Sequence, residues 1–293
     1  PLYHKTSGGY AGETDAQARV SQTIETLESA EARRGEVMTQ SEGSERLLRF
    51  RLAGVPVQVV SRFGMLEQVG GPYLEERADD EPLFTVRASD DDLAFDRAMA
   101  PEYPDPYVEL CTVHRLIAEK VAPLRRVVFH SCAIEYEGRA FAFTARSGTG
   151  KSTHARLWMR YLGDRGAKIL CGDKPFLYVP ERGEPMVYGC PWTGKEGWGY
   201  NGHAPLAGIC VLRQAPTCSI ERLAPYDASE AIVRQCHIPR ESPVGALTVL
   251  RCIDRVLAEV PVWAMGCDIS ETAVKTSFEA MTGQSYAKAV RKQ

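Results

Sequence analysis

"FAFTARSGTGKSTHARLW", residues 141–158, is the stretch that decides the fold. It begins as an apolar strand, continues as a loop of small residues and ends as the start of a helix. This order is typical of a phosphate-binding turn, because the loop N–H groups and the helix N-terminus both point toward an anion. The sequence therefore predicts an α/β core built around this loop.

The loop matches the phosphate-loop pattern G-x-x-x-x-G-K-[ST] at every position but the first, where Ala145 replaces glycine. Alanine is compatible with this position when its backbone is extended, because the sharp turns come later, at the glycines. We predict that a nucleotide triphosphate, ATP with Mg²⁺, binds here; the alternative is a glycine-rich turn without a ligand. The predicted nucleotide-binding residues are Ser147, Gly148, Thr149, Gly150, Lys151, Ser152 and Thr153.

Three side chains have predicted chemical roles. Lys151 is expected to reach the β- and γ-phosphates, and the Ser152 hydroxyl is expected to hold Mg²⁺. Asp173 follows the apolar strand "KILC", where an acid of a second strand would meet the same metal. The alternative for Asp173 is an ordinary Gly-Asp-Lys-Pro turn, and we predict the metal role.

A glycine-rich stretch downstream, "VYGCPWTGKEGWGYNGHAPL" at residues 187–206, contains two tryptophans and a lysine. Loops of this composition often form lids or substrate pockets. We predict that Lys195 contacts the γ-phosphate and that Trp192 or Trp198 stacks on a ligand; the alternative is a region of turns with core tryptophans. Arg213 is a further candidate for neutralising phosphate charge, although such an arginine is more often solvated.

The composition of the chain indicates which classes of binding partner and which cellular compartment to expect. The 293 residues carry a net charge of −3, which argues against a general nucleic-acid binder. The sequence has no apolar run of membrane-spanning length and no secretory signal pattern at its start. Its nine cysteines include no C-x-x-C pair, so free thiols in a reducing compartment are expected. These features predict a cytoplasmic protein that binds neither a membrane nor nucleic acid.

Three parts are predicted along the chain. Residues 1–44 are polar and rich in helix formers, which predicts a helical appendage. Residues 45–104 include alternating stretches rich in Val, Leu and Phe, which predicts a small, mostly β N-terminal lobe. Residues 105–293 contain the loop and form the predicted catalytic domain. Within it we predict helices over residues 106–122, 246–260 and 271–283 and single strands over residues 125–136 and 167–179.

Two segments, residues 129–155 and 166–175, resemble the kinase core shared by HPr kinase/phosphorylase and ATP-dependent phosphoenolpyruvate carboxykinase. The run His130-Ser131-Cys132-Ala133 lies one hairpin before the loop, where carboxykinases carry His-Cys-Ser-Ala, and Asp173 lies on the next strand. The resemblance implies a carboxykinase-like P-loop kinase core on a mixed sheet. It also implies that His130 faces the γ-phosphate and metal. HPr kinases assemble as oligomers, so a homo-oligomer is one of the two states, monomer or homo-oligomer, that the sequence leaves open.

One departure from that family concerns its usual pair of acids, because Gly172 stands where the first acid is expected. The proton acceptor is then Asp173, His130 or no residue. We expect Asp173 to accept the proton and His130 to be a metal or phosphate ligand. The predicted function is a kinase that transfers the γ-phosphate to a hydroxyl, a serine of a peptide or small protein. The alternative is a nucleotide-binding regulatory module, or an ATPase without a phosphoacceptor.

Overall fold

Two β-sheets organise the part of the chain that the computed structural model describes, residues 45–75 and 80–291. The predicted appendage, residues 1–44, lies outside the described residues. Both sheets have helices packed against them, which confirms the predicted mixed α/β class.

The smaller sheet lies at the start of the described chain and has the order β1-β2-β3. β1 and β2 are antiparallel and are joined at Ala53 and Gly54, whose φ angles of 47° and 77° make the predicted tight turn. β3 is parallel to β2. Alternate residues of β2 are buried, as its alternating sequence predicts. The strands are β1 (Arg46–Leu52), β2 (Val55–Ser61) and β3 (Phe84–Arg87).

Two helices accompany this small sheet, α1 (Met65–Gly70) and α2 (Asp90–Met99). The acidic start of α2 looks in the sequence like loop punctuation, and its helix was not predicted. The missed signal is a capping box. The Ser89 hydroxyl accepts from the Asp92 amide at 3.1 Å, and the Asp92 carboxylate accepts from the Ser89 amide at 3.1 Å.

The helix α3 (Asp105–Val121) confirms the helix predicted over residues 106–122. Its buried face belongs to a core that also contains Val57 of the small sheet and Phe176 and Trp192 from the following segments. The hydrophobic core is therefore continuous across residue 104, between the segments expected to be a lobe and a catalytic domain.

The larger sheet is mixed, as predicted. β10 runs parallel to β6 and β12, and every other pairing is antiparallel. The order is β4-β8-β9-β10-β6-β5-β7, with β12 also on β10 and β11 on β12. The strands are β4 (Arg126–Val128), β5 (Ser131–Tyr136), β6 (Arg139–Thr144), β7 (Lys168–Cys171), β8 (Phe176–Tyr178), β9 (Met186–Tyr188), β10 (His203–Gln214), β11 (Ser219–Leu223) and β12 (Val262–Cys267).

Within the described residues, five α-helices follow β6. The rings of Trp158 on α4 and Phe278 on α7 lie 5.8 Å apart in one core, and the helices α5 and α6 pack into another. The two predicted C-terminal helices are confirmed as α6 and α7, whereas α5 was missed. Within the described residues no helix has both the length and the apolar character needed to cross a membrane. The helices are α4 (Lys151–Leu162), α5 (Pro225–Val233), α6 (Pro243–Glu259), α7 (Glu271–Thr282) and α8 (Tyr286–Ala289).

Both strands that were predicted as single are broken, and the breaks face one another. The first is β4 followed by β5, and the second is β7 followed by β8, with residues 172–175 between them. Two backbone hydrogen bonds cross the break: Phe129 N donates to Pro175 O at 3.1 Å, and Ser131 N donates to Asp173 O at 2.9 Å. The antiparallel pairing of the two segments thus passes through the interruption.

The break has an identifiable cause on each side. Pro175 has no N–H group to donate to the neighbouring segment. The amide of His130 turns away from it and donates to Gln235 O at 2.8 Å. These local departures from regular pairing place the side chains of His130 and Asp173 beside each other.

Candidate phosphate-binding site

The predicted phosphate loop joins β6 to α4. Ala145 is buried at the end of β6 and does not have a positive φ, whereas Gly148 and Gly150 have φ angles of 78° and 114°. These values lie in the left-handed region, where a Cβ would be strained. The structure therefore places the sharp turns at the two glycines, as the sequence indicated, and explains why alanine is compatible with the first position.

The N-terminus of α4 is open to an anion. Gly150 is its N-cap and supplies no side-chain cap, and the first turn contains no acid. Within the described residues, the amides of Gly148 and Gly150 donate to no acceptor. Free N–H groups and the positive end of the helix dipole together favour a phosphate at this position.

Lys151 supplies a cation inside the loop. Its side chain is buried, and Nζ donates a hydrogen bond to Ala145 O at 3.0 Å. Burial lowers the pKa of Lys151, while the nearby Asp173 carboxylate opposes that shift. Lys151 forms no ion pair with the described residues, so a phosphate group would be its first close anionic partner.

Asp173 and His130 form a pair beside the loop. His130 Nε2 lies 3.2 Å from Asp173 Oδ1, and His130 Nδ1 lies 3.0 Å from Gln235 Oε1. Burial raises the pKa of Asp173, but the hydrogen bond from His130 and the charges of Lys174 and Lys151 outweigh burial and hold the pKa below the ordinary value. The carboxylate is thus kept ionised, as a metal ligand must be.

Gln235 was missed by the sequence analysis. It lies just after α5, a helix that was also missed, and nothing in its local sequence marks it as a partner of His130. The start of α5 does carry a signal, since Pro225 occupies its first turn together with Asp227.

Gly172 is required by close packing. A Cβ at this position would lie 2.7 Å from Thr193 O and 3.1 Å from Trp198 O, and the Gly172 amide donates to Trp198 O at 2.8 Å. Gly194 of the same loop packs against Asp173, because a Cβ there would lie 2.9 Å from Asp173 Cβ. The loop fills the space that the first acid of the family pair would need.

Gly172→Asp is therefore expected to destabilise the protein by about 1–3 kcal/mol rather than to complete an acid pair, because the side chain would overlap two backbone carbonyls. Thermal unfolding measures this effect. Gly163→Asp is the matched control, since Gly163 has a φ of −57° and open space around its Cβ direction. A Gly172→Asp protein as stable as the control, with higher turnover, would contradict the prediction.

The other residues predicted to bind the nucleotide differ in their exposure and contacts. Ser152 and Thr153 are half-buried in the first turn of α4, and Thr149 O accepts a hydrogen bond from Gln214 Nε2 at 3.3 Å. Lys195 is exposed, and within the described residues it forms no hydrogen bond or ion pair. Its predicted contact with the γ-phosphate stays a prediction.

The two tryptophans have different surroundings. Trp192 is buried, its Nε1 donates to Leu110 O at 3.0 Å, and its ring lies 4.7 Å from that of His114. This ring is therefore part of the core, and of the two tryptophans predicted to stack on a ligand only Trp198 is left for that role. Trp198 is half-exposed, with the Arg156 guanidinium 5.4 Å from its ring centre, and it stays a candidate for ligand contact.

The residues present suit Mg²⁺ held largely by phosphate. The described residues contain no cluster of three or more His, Cys, Asp or Glu side chains that would form a metal cage. Mg²⁺ in nucleotide sites needs no such cage, because one or two protein oxygens and the phosphates supply its ligands. The Ser152 hydroxyl and the Asp173 carboxylate fit this donor set.

The nine cysteines are all free, as predicted. The sulfur atoms of the buried Cys171 and Cys190 lie 3.8 Å apart.

Comparison with solved structures gives a weak likeness in fold, whereas the comparisons with family models and curated proteins find nothing. Among solved structures, the HPr(Ser) kinase/phosphatase from Coxiella burnetii is similar with a TM-score of 0.30 and 12% sequence identity, over 53% of this chain and 99% of that chain. A likeness of this strength does not by itself place the chain in that family.

Proposed function

We propose that this chain is an ATP-dependent phosphotransferase with a P-loop kinase core like that of HPr kinase, and that it transfers the γ-phosphate to a serine hydroxyl of a peptide or small protein. The observation that carries the proposal is the buried Lys151 ammonium, which has no ion-pair partner among the described residues and lies in a loop where the Gly148 and Gly150 amides donate to no described acceptor. A turn that served only to connect β6 to α4 would gain nothing from burying this charge.

The loop would bind and orient the triphosphate. Free amides at Gly148, Gly150 and the first turn of α4 would hold the phosphate oxygens, and Lys151 would neutralise charge on the β- and γ-phosphates. Ser152 and Asp173 would hold Mg²⁺, which when bound neutralises further charge on the phosphates. Lys195 is proposed to approach the γ-phosphate from the glycine-rich loop, whose Gly194 packs on Asp173.

Asp173 is also the proposed proton acceptor. The attacking hydroxyl oxygen forms the new O–P bond, the bond from the γ-phosphorus to the bridging oxygen breaks, and the hydroxyl proton passes to Asp173. A loose transition state needs this proton transfer only late, so a carboxylate with a lowered pKa suffices. His130 was expected to be a metal or phosphate ligand; we propose instead that it orients this carboxylate, since its Nε2 lies 3.2 Å from Oδ1, and that Gln235 holds the imidazole in place.

A second candidate function is ATP hydrolysis without a phosphoacceptor, or nucleotide binding with a regulatory role. Gly172 favours it, because the packing around this residue leaves the site with one carboxylate. A single carboxylate that binds the metal is less available to accept the proton of an attacking hydroxyl.

Transfer from γ-³²P-labelled ATP with Mg²⁺ separates these functions. Label on serine-containing peptides or small proteins is expected for a phosphotransferase, whereas release of labelled phosphate alone supports an ATPase. Neither transfer nor hydrolysis, with ATP bound, would support a regulatory module. Failure to bind ATP at all would overturn the site.

His130→Gln is expected to lower kcat about 10- to 100-fold and to leave the ATP dissociation constant within about twofold, because His130 positions Asp173 rather than the phosphates. Steady-state rates and an ATP titration measure the two effects. Gln235→Glu keeps an oxygen for His130 Nδ1 and is the matched variant expected to retain most activity. Loss of ATP affinity in His130→Gln would instead make His130 a phosphate or metal ligand.

A further inference from the structure

An open groove with a volume of about 770 Å³ lies beside the phosphate loop. Its walls come from three elements: loop residues 145–149, the end of β10 from Val211 to Gln214, and α5 with Gln235 just after it. Volumes of this size are typical of ligand sites. The mouth lies at the carboxyl ends of the parallel strands β6 and β10, where α/β sheets commonly bind their ligands.

The position of Lys151 tells which end of the triphosphate would face this groove. In a phosphate loop the lysine reaches the β- and γ-phosphates. Here its Nζ is held at Ala145 O, and Ala145 is itself part of the groove wall. The groove therefore opens at the γ-phosphate end, where the attacking hydroxyl must arrive, rather than at the nucleoside end.

Gln235 joins the groove to the proposed base. It lines the groove, its Oε1 lies 3.0 Å from His130 Nδ1, and His130 Nε2 lies 3.2 Å from Asp173 Oδ1. A hydroxyl that entered along the groove would thus approach the side of the site where His130 and Asp173 are paired.

The two sides of the groove differ in charge, because the loop and β10 side is basic and the α5 side carries two carboxylates and one guanidinium. Arg146 and Arg213 lie on the side of the loop and β10, and both are exposed. Asp227 and Glu230 lie on α5 across the groove. Glu230 pairs with Arg234 at 2.6 Å, whereas Asp227 forms no ion pair within residues 45–75 and 80–291. The α5 side thus presents the Asp227 carboxylate, which has no ion-pair partner among the described residues.

We propose that this groove binds the acceptor polypeptide, with its hydroxyl residue at Ala145 and a basic side chain against Asp227 and Glu230. The inference rests on the proposed phosphotransferase function. Carboxylates on this side of the groove suit a lysine or arginine of the acceptor.

Two matched sets of serine-centred peptides test the assignment, one with lysine or arginine and one with glutamate at the flanking positions. With γ-³²P-labelled ATP, the basic set is expected to show about fivefold higher kcat/KM. The Asp227→Lys and Glu230→Lys double variant should remove or reverse this preference, with unchanged ATP affinity and unchanged ATP hydrolysis in the absence of peptide. Asp254→Lys, on the exposed face of α6, is the control that should keep it.

Several results would overturn the assignment. ATP hydrolysis without transfer to either peptide set would show that the groove does not bind a peptide acceptor. Equal transfer to both sets, or a preference that persists in the double variant, would show that the acceptor does not contact Asp227 and Glu230 of α5. A changed ATP dissociation constant in the double variant would assign the groove to the nucleoside. Absence of ATP binding and turnover in the unmodified protein would overturn the proposed function itself, and the groove assignment with it.

Discussion

Replacing Lys151 with alanine is expected to reduce ATP turnover by at least about 100-fold while the protein stays folded. Lys151 is the buried cation of the loop, and its loss leaves the developing charge on the phosphates to amides alone. Because burial lowers the pKa of Lys151, the folded protein gains no stability from holding this charge, and its removal should not unfold the chain.

Turnover, ATP affinity and thermal unfolding measured together test this expectation. Lys168→Ala is the matched control, because Lys168 is exposed at the start of β7. If Lys151→Ala has the same ATP turnover rate and the same ATP dissociation constant as the parent, residues 145–152 are not a phosphate-binding loop. A protein that no longer folds would show that the lysine supports the loop's structure instead.

Asp173→Asn is expected to raise the Mg²⁺ concentration for half-maximal turnover at least about tenfold and to lower the maximal rate about 100-fold, because the amide keeps the shape and loses the charge. ATP binding measured without metal should change little. Asp164→Asn, exposed beyond the end of α4, is the control. The same Mg²⁺ dependence of turnover in Asp173→Asn and in the parent would show that Asp173 does not bind the metal.

The same substitution has a predictable effect on acid stability. The folded-state pKa of Asp173 is lowered, so its contribution to stability is present above the ordinary aspartate pKa and is lost as the pH falls through the lowered value. The parent should therefore lose stability over this acid range to a greater extent than Asp173→Asn. Thermal unfolding at a series of pH values measures the difference.

The sequence predicted what depends on local pattern. Glycines at positions 148 and 150 predict positive φ angles at these residues. The apolar strand before the loop and the helix after it predict where the loop begins and ends. The helical spacing over residues 106–122 gives α3 in the same way. In each case neighbours along the chain decide the conformation.

What the sequence could not predict depends on contacts between distant segments. The breaks that bring His130 to Asp173 arise because two segments pair across Pro175, and Gln235 meets His130 from 105 residues away. Trp192 looked like a lid residue because glycines surround it, but the neighbouring α3 makes it part of the core. The departure at Gly172 was visible, whereas its cause, a loop packed on both sides of it, was not.

The facing breaks in the larger sheet also bear on how the site moves. Three consecutive amides, those of Phe129, His130 and Ser131, donate to backbone carbonyls of other segments. Amides of this kind exchange their hydrogens only when a large part of the sheet opens, whereas the unbonded amides of Gly148 and Gly150 should exchange quickly. We therefore expect slow hydrogen exchange at the backbone amides around His130 and fast exchange at those of the phosphate loop. A bound triphosphate should slow hydrogen exchange in the phosphate loop alone.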